Sequence, residues 1–177
     1  MPHETDARSL QGTMPVRFRY TLGAAGARFF ETLKRKGVLA ATRCAADGIT
    51  YLPPRLYCEE CFADLEGTWL EVAPRGRVHT FTVVHLDREG RRLAKPEVAA
   101  YVRIDGTDGG LVTRLLHVEA GAVRVGQEVE AVLLPPRERK GTLEDILGFA
   151  PAGTVLQQRP ARAKANRSTR SRRARAR

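Results

Sequence analysis

Three cysteines and one aspartate carry the clearest chemistry in this sequence. They form two short motifs, Cys44-Ala-Ala-Asp47 and Cys58-Glu-Glu-Cys61, which ten residues separate. Two turns that each present two ligands to one tetrahedral ion are the geometry of a zinc ribbon. The spacing therefore predicts that Cys44, Asp47, Cys58 and Cys61 bind one zinc ion.

The first motif departs from the ribbon pattern, because Asp47 stands where a second cysteine is expected. A carboxylate oxygen is an acceptable zinc ligand, so the substitution is compatible with a mixed sulfur and oxygen site. Two other interpretations stay open at this point. One is a ribbon that has lost its metal, and the other is a small reduced protein that happens to contain a Cys-x-x-Cys motif.

The segments around the two motifs favour a β-hairpin. Residues 38–44 and 49–52 are apolar and β-favouring, and Asp47-Gly48 between them is a strong tight-turn pair. Pro53-Pro54 then ends the second strand. We expect the zinc ribbon to span residues 38–68.

Residues 21–37 have the pattern of a short amphipathic helix. Phe29, Phe30 and Leu33 fall on one side, charged residues fall on the other, and Gly37 suits a left-handed helix end. The apolar side has two interpretations. It packs against the protein's own domain, or it forms an anchor that docks into another protein.

Beyond Pro74 the sequence becomes a series of β-strands separated by turn residues such as Asp105-Gly106. Five strands with a long first member fit a small Greek-key barrel of the OB type, which we place at residues 69–151 with Trp69 at its start. The predicted fold is therefore mainly β: an N-terminal amphipathic helix and zinc ribbon, then a five-stranded OB-type barrel. The predicted barrel strands are 76–85, 98–104, 111–118, 128–134 and 146–150.

The net charge of +10 is concentrated at the C-terminus. Nine of the 30 Lys and Arg residues follow Gln158 with no acid among them, which leaves 21 against 20 acids in residues 1–158. We expect residues 152–177 to be a disordered Arg-rich tail and residues 1–20 a flexible leader. The odd number of cysteines, without a signal peptide or a membrane-length apolar run, predicts a cytoplasmic protein with no membrane contact.

The order of these features resembles one known family, which joins a rubredoxin-like zinc ribbon to an acyl-CoA-associated OB fold. The resemblance covers residues 21–151. Its motifs are Gly37-Val-Leu before Arg43-Cys44, Tyr51-Leu-Pro-Pro-Arg55, Cys58-Glu-Glu-Cys61, the strand from Gly76 to Val84, and Val125-Gly-Gln-Glu-Val129.

The resemblance implies a non-catalytic accessory subunit of a thiolase-like acyl-CoA-processing complex. Such subunits dock to a catalytic partner through the helix and ribbon, so Phe29, Phe30 and Leu33 become the expected docking residues of a hetero-oligomer. The barrel helps to shape a passage for CoA thioesters, whose phosphates require cations. Candidates near predicted strands are Arg75, Arg77, Arg103 and Arg114.

Catalysis by the chain alone is disfavoured, since a thiolase requires a nucleophilic cysteine and a base, and all three cysteines belong to the ribbon. His79, His85 and His117 lie in predicted strands without a nucleophile nearby in sequence. The alternative function is an OB-fold nucleic-acid-binding protein. Its aromatic set is small, namely Phe81, Tyr101 and Phe149, and the basic tail is the expected contact. A thiol redox module is disfavoured because no βαβ pattern surrounds Cys58 and Cys61.

Overall fold

The computed structural model describes residues 20–154, which contain one α-helix and eight β-strands. The predicted leader and tail lie almost entirely outside these residues. The elements, in chain order, are α1 (Gly23–Lys36), β1 (Leu39–Arg43), β2 (Thr50–Tyr51), β3 (Trp69–Val72), β4 (Arg75–Leu86), β5 (Arg92–Ile104), β6 (Gly110–Leu115), β7 (Glu128–Leu133) and β8 (Ile146–Pro151), with single 3-10 turns at Ala120–Ala122 and Leu143–Asp145.

Strands β4 to β8 form a closed barrel in the order β4-β5-β6-β8-β7, with β4 also pairing with β7. This closure removes the sheet edges and gives the five-stranded OB-type barrel that the sequence predicts. The β5–β6 hairpin turns at Asp105-Gly106, where Gly106 has a φ of 76°. The predicted fold class is therefore confirmed for the described residues.

The first three strands form a separate small sheet in the order β2-β1-β3. Strand β3 pairs along β1 from Leu39 opposite Val72 to Thr42 opposite Trp69. Strand β3, which begins at Trp69 where we expected the barrel domain to start, therefore pairs with β1 and with no strand of the barrel among the described residues.

Helix α1 lies on β1 and ends at Gly37, whose φ is 69° and whose amide donates to the Leu33 carbonyl at 2.9 Å. Phe29 is 3% exposed and Leu33 is fully buried, in one core with residues of β1 and of the barrel. Phe30 is half-buried against the same core. The structure therefore corrects the docking expectation for Phe29 and Leu33, because the chain's own core already covers these side chains.

Two hydrogen bonds and one close backbone approach join the ribbon to the barrel. The Asp108 amide donates to the Thr50 carbonyl at 2.9 Å, and the Thr50 amide donates to the Asp108 carboxylate at the same distance. Gly109 faces Leu52 so closely that a Cβ at this position would lie 1.9 Å from the Leu52 carbonyl oxygen. Glycine is therefore required where the two parts meet.

Within residues 20–154, no helix has the length and apolar character that crossing a membrane requires.

Candidate metal centre

The four predicted ligands converge at the end of the β1–β2 hairpin. One ligand atom from each of Cys44, Asp47, Cys58 and Cys61 lies within 4.8 Å of the others. The Asp47 Oδ2 atom is 3.3 Å from the Cys44 Sγ and 3.1 Å from the Cys58 Sγ. The Cys44 and Cys61 Sγ atoms are 3.5 Å apart.

These separations fit a tetrahedral metal ion. A zinc–sulfur bond of about 2.3 Å places two sulfur ligands about 3.8 Å apart, and the shorter zinc–oxygen bond brings a carboxylate slightly closer. Three thiolates and one carboxylate are also a donor set that zinc accepts. The described residues can therefore hold a metal ion at this position, and its identity as zinc is a proposal.

The site is half-enclosed by the ribbon. Cys44 and Cys58 are buried, whereas Asp47 and Cys61 are exposed. The first turn is closed by the Cys44 amide, which donates to the Ile49 carbonyl at 2.8 Å, and the second by the Cys58 amide, which donates to the Ala63 carbonyl at 2.9 Å. Each motif is thus a tight turn that presents its two ligand atoms on the same side.

The thiols donate hydrogen bonds to the Asp47 carboxylate. Hydrogen bonds from the thiols of Cys61, Cys58 and Cys44 hold the pKa of the Asp47 carboxyl below its usual value. The same bond to Asp47 raises the pKa of the Cys61 thiol to about 12. Because a metal requires thiolates, metal binding must release these protons, and affinity should fall as the pH falls.

Tyr51 is a neighbour of the site that the sequence analysis missed. Its hydroxyl lies 3.2 Å from the Cys58 Sγ and accepts a hydrogen bond from the Glu59 amide at 3.3 Å. The contact with Cys58 raises the pKa of Tyr51 to about 12 and lowers that of Cys58. Such contacts orient metal ligands. The β-favouring run gave no signal that one of its side chains faces a cysteine.

Three of the four arginines proposed to bind CoA form ion pairs within the chain. Arg77 pairs with Glu128 at 2.5 Å, Arg103 with Asp108 at 3.4 Å, and Arg75 with Asp105 at 3.8 Å. Arg114 has no ion pair to any residue in the described part of the chain. The structure therefore does not bring the four together, and it distinguishes Arg114 from the rest.

Arg114 lines a cleft of about 510 Å³ at one end of the barrel, where β6 ends while β5 and β4 continue as a hairpin. Its lining is mixed: the half-buried Leu116 and Val118 are apolar, and the exposed Glu97 adds a carboxylate. An ion pair between Lys95 and Glu119, at 2.9 Å, joins two residues that line the cleft. The cleft therefore offers one cation, Arg114, that has no ion pair among the described residues, next to apolar side chains.

The described histidines form no catalytic set with a thiol. His79 packs edge-on against Tyr101, with ring centroids 5.8 Å apart, and His117 lines the cleft beside Arg114. The aromatic platform for nucleic acid is also small. Phe149 is fully buried in the core and Phe81 is half-buried against it, so neither offers an open ring face along the barrel.

Sequence comparisons match one family model and two scaffold proteins to this chain. A family model described as "ChsH2, C-terminal OB-fold domain" matches residues 69–134. A DUF35 domain-containing scaffold protein of Methanocaldococcus jannaschii is 27% identical over 106 residues, covering 59% of this chain and 74% of that protein. One of Methanothermobacter thermautotrophicus is 27% identical over 101 residues, covering 56% and 74%.

Two solved structures are similar over most of their length. A DUF35 protein of unknown function from Sulfolobus solfataricus is 31% identical, with a TM-score of 0.53, over 62% of this chain and 78% of that chain. The structure described as "Ltp2-ChsH2(DUF35) aldolase" contains a chain 26% identical, with a TM-score of 0.55, over 76% of this chain and 99% of that chain. The barrel, the sequence matches and the 31% identity over most of a solved relative together show that this chain belongs to the DUF35 family.

Proposed function

We propose that this chain is a non-catalytic scaffold subunit of a two-protein enzyme that forms or breaks a carbon–carbon bond in an acyl-CoA substrate. The observation that carries the proposal is its likeness to the Ltp2-ChsH2(DUF35) aldolase structure, where it covers 99% of the matching chain. The relatives described as scaffold proteins support the same role. The partner is then a separate catalytic subunit.

The chain's own chemistry favours a scaffold over an enzyme. All three of its cysteines lie in the candidate metal centre. A thiolate that binds a structural metal is unavailable as an acyl acceptor, and thiolase chemistry requires such a nucleophile next to a base. The catalytic residues therefore come from the partner.

We infer that the partner is thiolase-like. An aldolase and a thiolase both break a carbon–carbon bond next to a carbonyl group, so the aldolase relative is compatible with the thiolase-like partner that the motifs imply. The CoA thioester is proposed to pass along the barrel cleft. There Arg114 would meet a phosphate, and the half-buried Leu116 and Val118 would contact the pantetheine arm.

Zinc, when bound, would supply folding energy to the ribbon. Four protein ligands would complete its tetrahedron, which is the arrangement of structural rather than catalytic sites. Cys44 and Cys58 would anchor the ion from inside the ribbon, and Asp47 and Cys61 would close the exposed side.

The test is native purification of the tagged full-length chain from its own source organism, with mass spectrometry of what accompanies it. We expect a thiolase-like subunit in stoichiometric amount, and the complex should turn over acyl-CoA substrates while the isolated chain does not. Recovery of the chain alone, or bound to nucleic acid in place of an enzyme, would contradict the proposal. Host thiolases must be removed before the isolated chain is assayed.

A further inference from the structure

The turn of the second motif, residues 57–64, is called the second knuckle. We propose that its outer tip, formed by Tyr57 and Phe62, docks the catalytic subunit by entering an apolar pocket that is rimmed by Lys and Arg residues. This inference rests on the proposed function, because it assigns the surface through which the scaffold meets its enzyme. We call these two side chains the knuckle tip.

Phe62 has an unfavourable backbone conformation, and its side chain does not pack in the chain's own core. Its side chain is 79% exposed, and its backbone has a φ of 59°. The left-handed region is unfavourable for a bulky residue, and glycine or asparagine adopts it much more readily. An aromatic that is both strained and exposed indicates a function outside the chain.

Tyr57 adds a second aromatic to the same tip. It is 61% exposed and forms a β-bridge with Asp64, on the other arm of the knuckle. Tyr and Phe are residues through which protein interfaces commonly gain affinity. Helix α1, in contrast, has already buried Phe29 and Leu33 in the chain's own core.

The knuckle holds its tip rigidly. The Phe62 amide donates to the Cys58 carbonyl at 3.1 Å, and the Leu65 amide donates to the Leu56 carbonyl at 2.7 Å. Cys58 follows Tyr57 directly and Cys61 precedes Phe62, so both aromatics adjoin candidate metal ligands. A surface that is fixed before binding loses little conformational entropy when it binds.

The charge around the tip defines the partner's chemistry. Residues 56–68 contain four acids and no Lys or Arg, in a chain whose residues 1–158 are nearly neutral overall. All four acids are exposed, and Glu59 alone among them is paired with a cation, Arg55, in the described structure. The acids are Glu59, Glu60, Asp64 and Glu66. Complementarity therefore favours a basic rim on the partner.

The test measures affinity between the purified catalytic subunit and full-length variants of this chain, with zinc content and melting temperature recorded for each. Phe62→Asn is the main variant, because asparagine relieves the left-handed strain while removing the ring. We expect the melting temperature to stay equal or rise, and the dissociation constant to increase about 30-fold. Tyr57→Ala should weaken binding in the same direction. Val125→Ala is the control and should have no effect, because Val125 is an exposed apolar residue in the loop before β7.

Reversing the charge of two acids in the second knuckle tests the proposed basic rim of the catalytic subunit separately. Glu60→Lys combined with Asp64→Lys should slow association about tenfold at low salt, and the difference from wild type should shrink as salt increases. Both side chains are exposed, and the one hydrogen bond lost is the exposed bond from the Glu66 amide to Asp64 at 2.7 Å, so the melting temperature should fall only slightly.

The outcomes separate this inference from the proposed function. If the wild-type chain binds the catalytic subunit and Phe62→Asn binds within threefold of it, the knuckle tip is not the docking surface, and the scaffold role stands. If the wild-type chain does not bind at all, the scaffold role itself is wrong.

Discussion

Asp47 decides the strength of the candidate metal centre. We predict that Asp47→Cys increases zinc retention at least tenfold in competition with a chelator, since thiolate is the softer donor, and that Asp47→Ala decreases it. Elemental analysis of tag-free protein after graded chelator treatment measures both. Zinc stoichiometry near zero in the wild-type chain, purified without chelator, would show that Asp47 belongs to a ribbon that has lost its metal.

Arg114 is the residue on which the CoA proposal depends. We predict that Arg114→Gln raises the KM of the assembled complex for its acyl-CoA about tenfold with little change in kcat, because the contact is to a remote phosphate. Arg77→Gln is the matched control, since Arg77 is already paired with Glu128 and should leave KM unchanged. Equal effects of the two variants would remove the case for a site at the barrel cleft.

At the residue scale, spacing predicts more than composition does. Cys44, Asp47, Cys58 and Cys61 could be grouped from sequence because two tight turns leave the chain few alternatives, and the structure brings their ligand atoms together. Tyr51 could not be added to this group, since its contact with Cys58 depends on how the second turn folds over the hairpin. Phe62 was also missed, because neither its exposure nor its backbone conformation is visible in a pattern.

The turn before β8 depends on Asp145. This carboxylate is 1% exposed and accepts hydrogen bonds from the amides of Lys140, Gly141 and Thr142 at 2.8, 2.7 and 3.3 Å. Burial alone would raise the pKa of Asp145, but the three amide donors together lower it below its usual value. The ionised form is therefore the one that stabilises the turn.

We predict that Asp145→Asn lowers the free energy of unfolding by about 2 kcal/mol at neutral pH, because an amide group would face backbone donors. A group whose pKa is lowered by folding contributes stability above its unfolded pKa and loses it as the pH falls. The wild-type advantage should therefore shrink below about pH 4. Denaturant titrations at pH 7, 5 and 3 would measure this, and a constant difference across that range would contradict it.

Helix α1 is a core element rather than a free anchor. We predict that Leu33→Ala lowers the free energy of unfolding by about 3 kcal/mol, since the side chain is fully buried. Leu22→Ala is the control, because Leu22 lies just before the helix and is 59% exposed. Circular dichroism melting of both variants checks the prediction. Weakened partner binding with an unchanged melt in Leu33→Ala would restore the docking interpretation.

At the element scale, local signals predicted the strands well, and contacts between elements were less visible. Alternation and turn residues located β4 to β8 within a few residues, except that β5 begins at Arg92 and therefore extends well before residue 98. Strand β3 falls within residues 69–151, where we predicted the barrel domain, but it pairs with β1. This pairing joins strands that are about 30 residues apart in sequence, and local propensity does not encode it.

The whole molecule is organised around one continuous core. Buried residues of α1, of β1 and of the barrel belong to a single cluster, whereas Cys44, Tyr51, Cys58 and Leu65 form a smaller second one at the metal centre. The helix and first strand are thus structurally part of the barrel unit. Tyr57 and Phe62 of the knuckle tip lie outside both clusters and are exposed.

Reconstitution of the complex is the most direct test of the scaffold role. The purified catalytic subunit and this chain should be mixed at increasing ratios, with turnover of acyl-CoA and the mass of the complex measured on the same samples. We predict that turnover rises with this chain and reaches a plateau at the stoichiometry of the assembled complex, and that this chain alone has none. Full activity of the catalytic subunit without this chain, or turnover by this chain alone, would contradict a non-catalytic scaffold subunit.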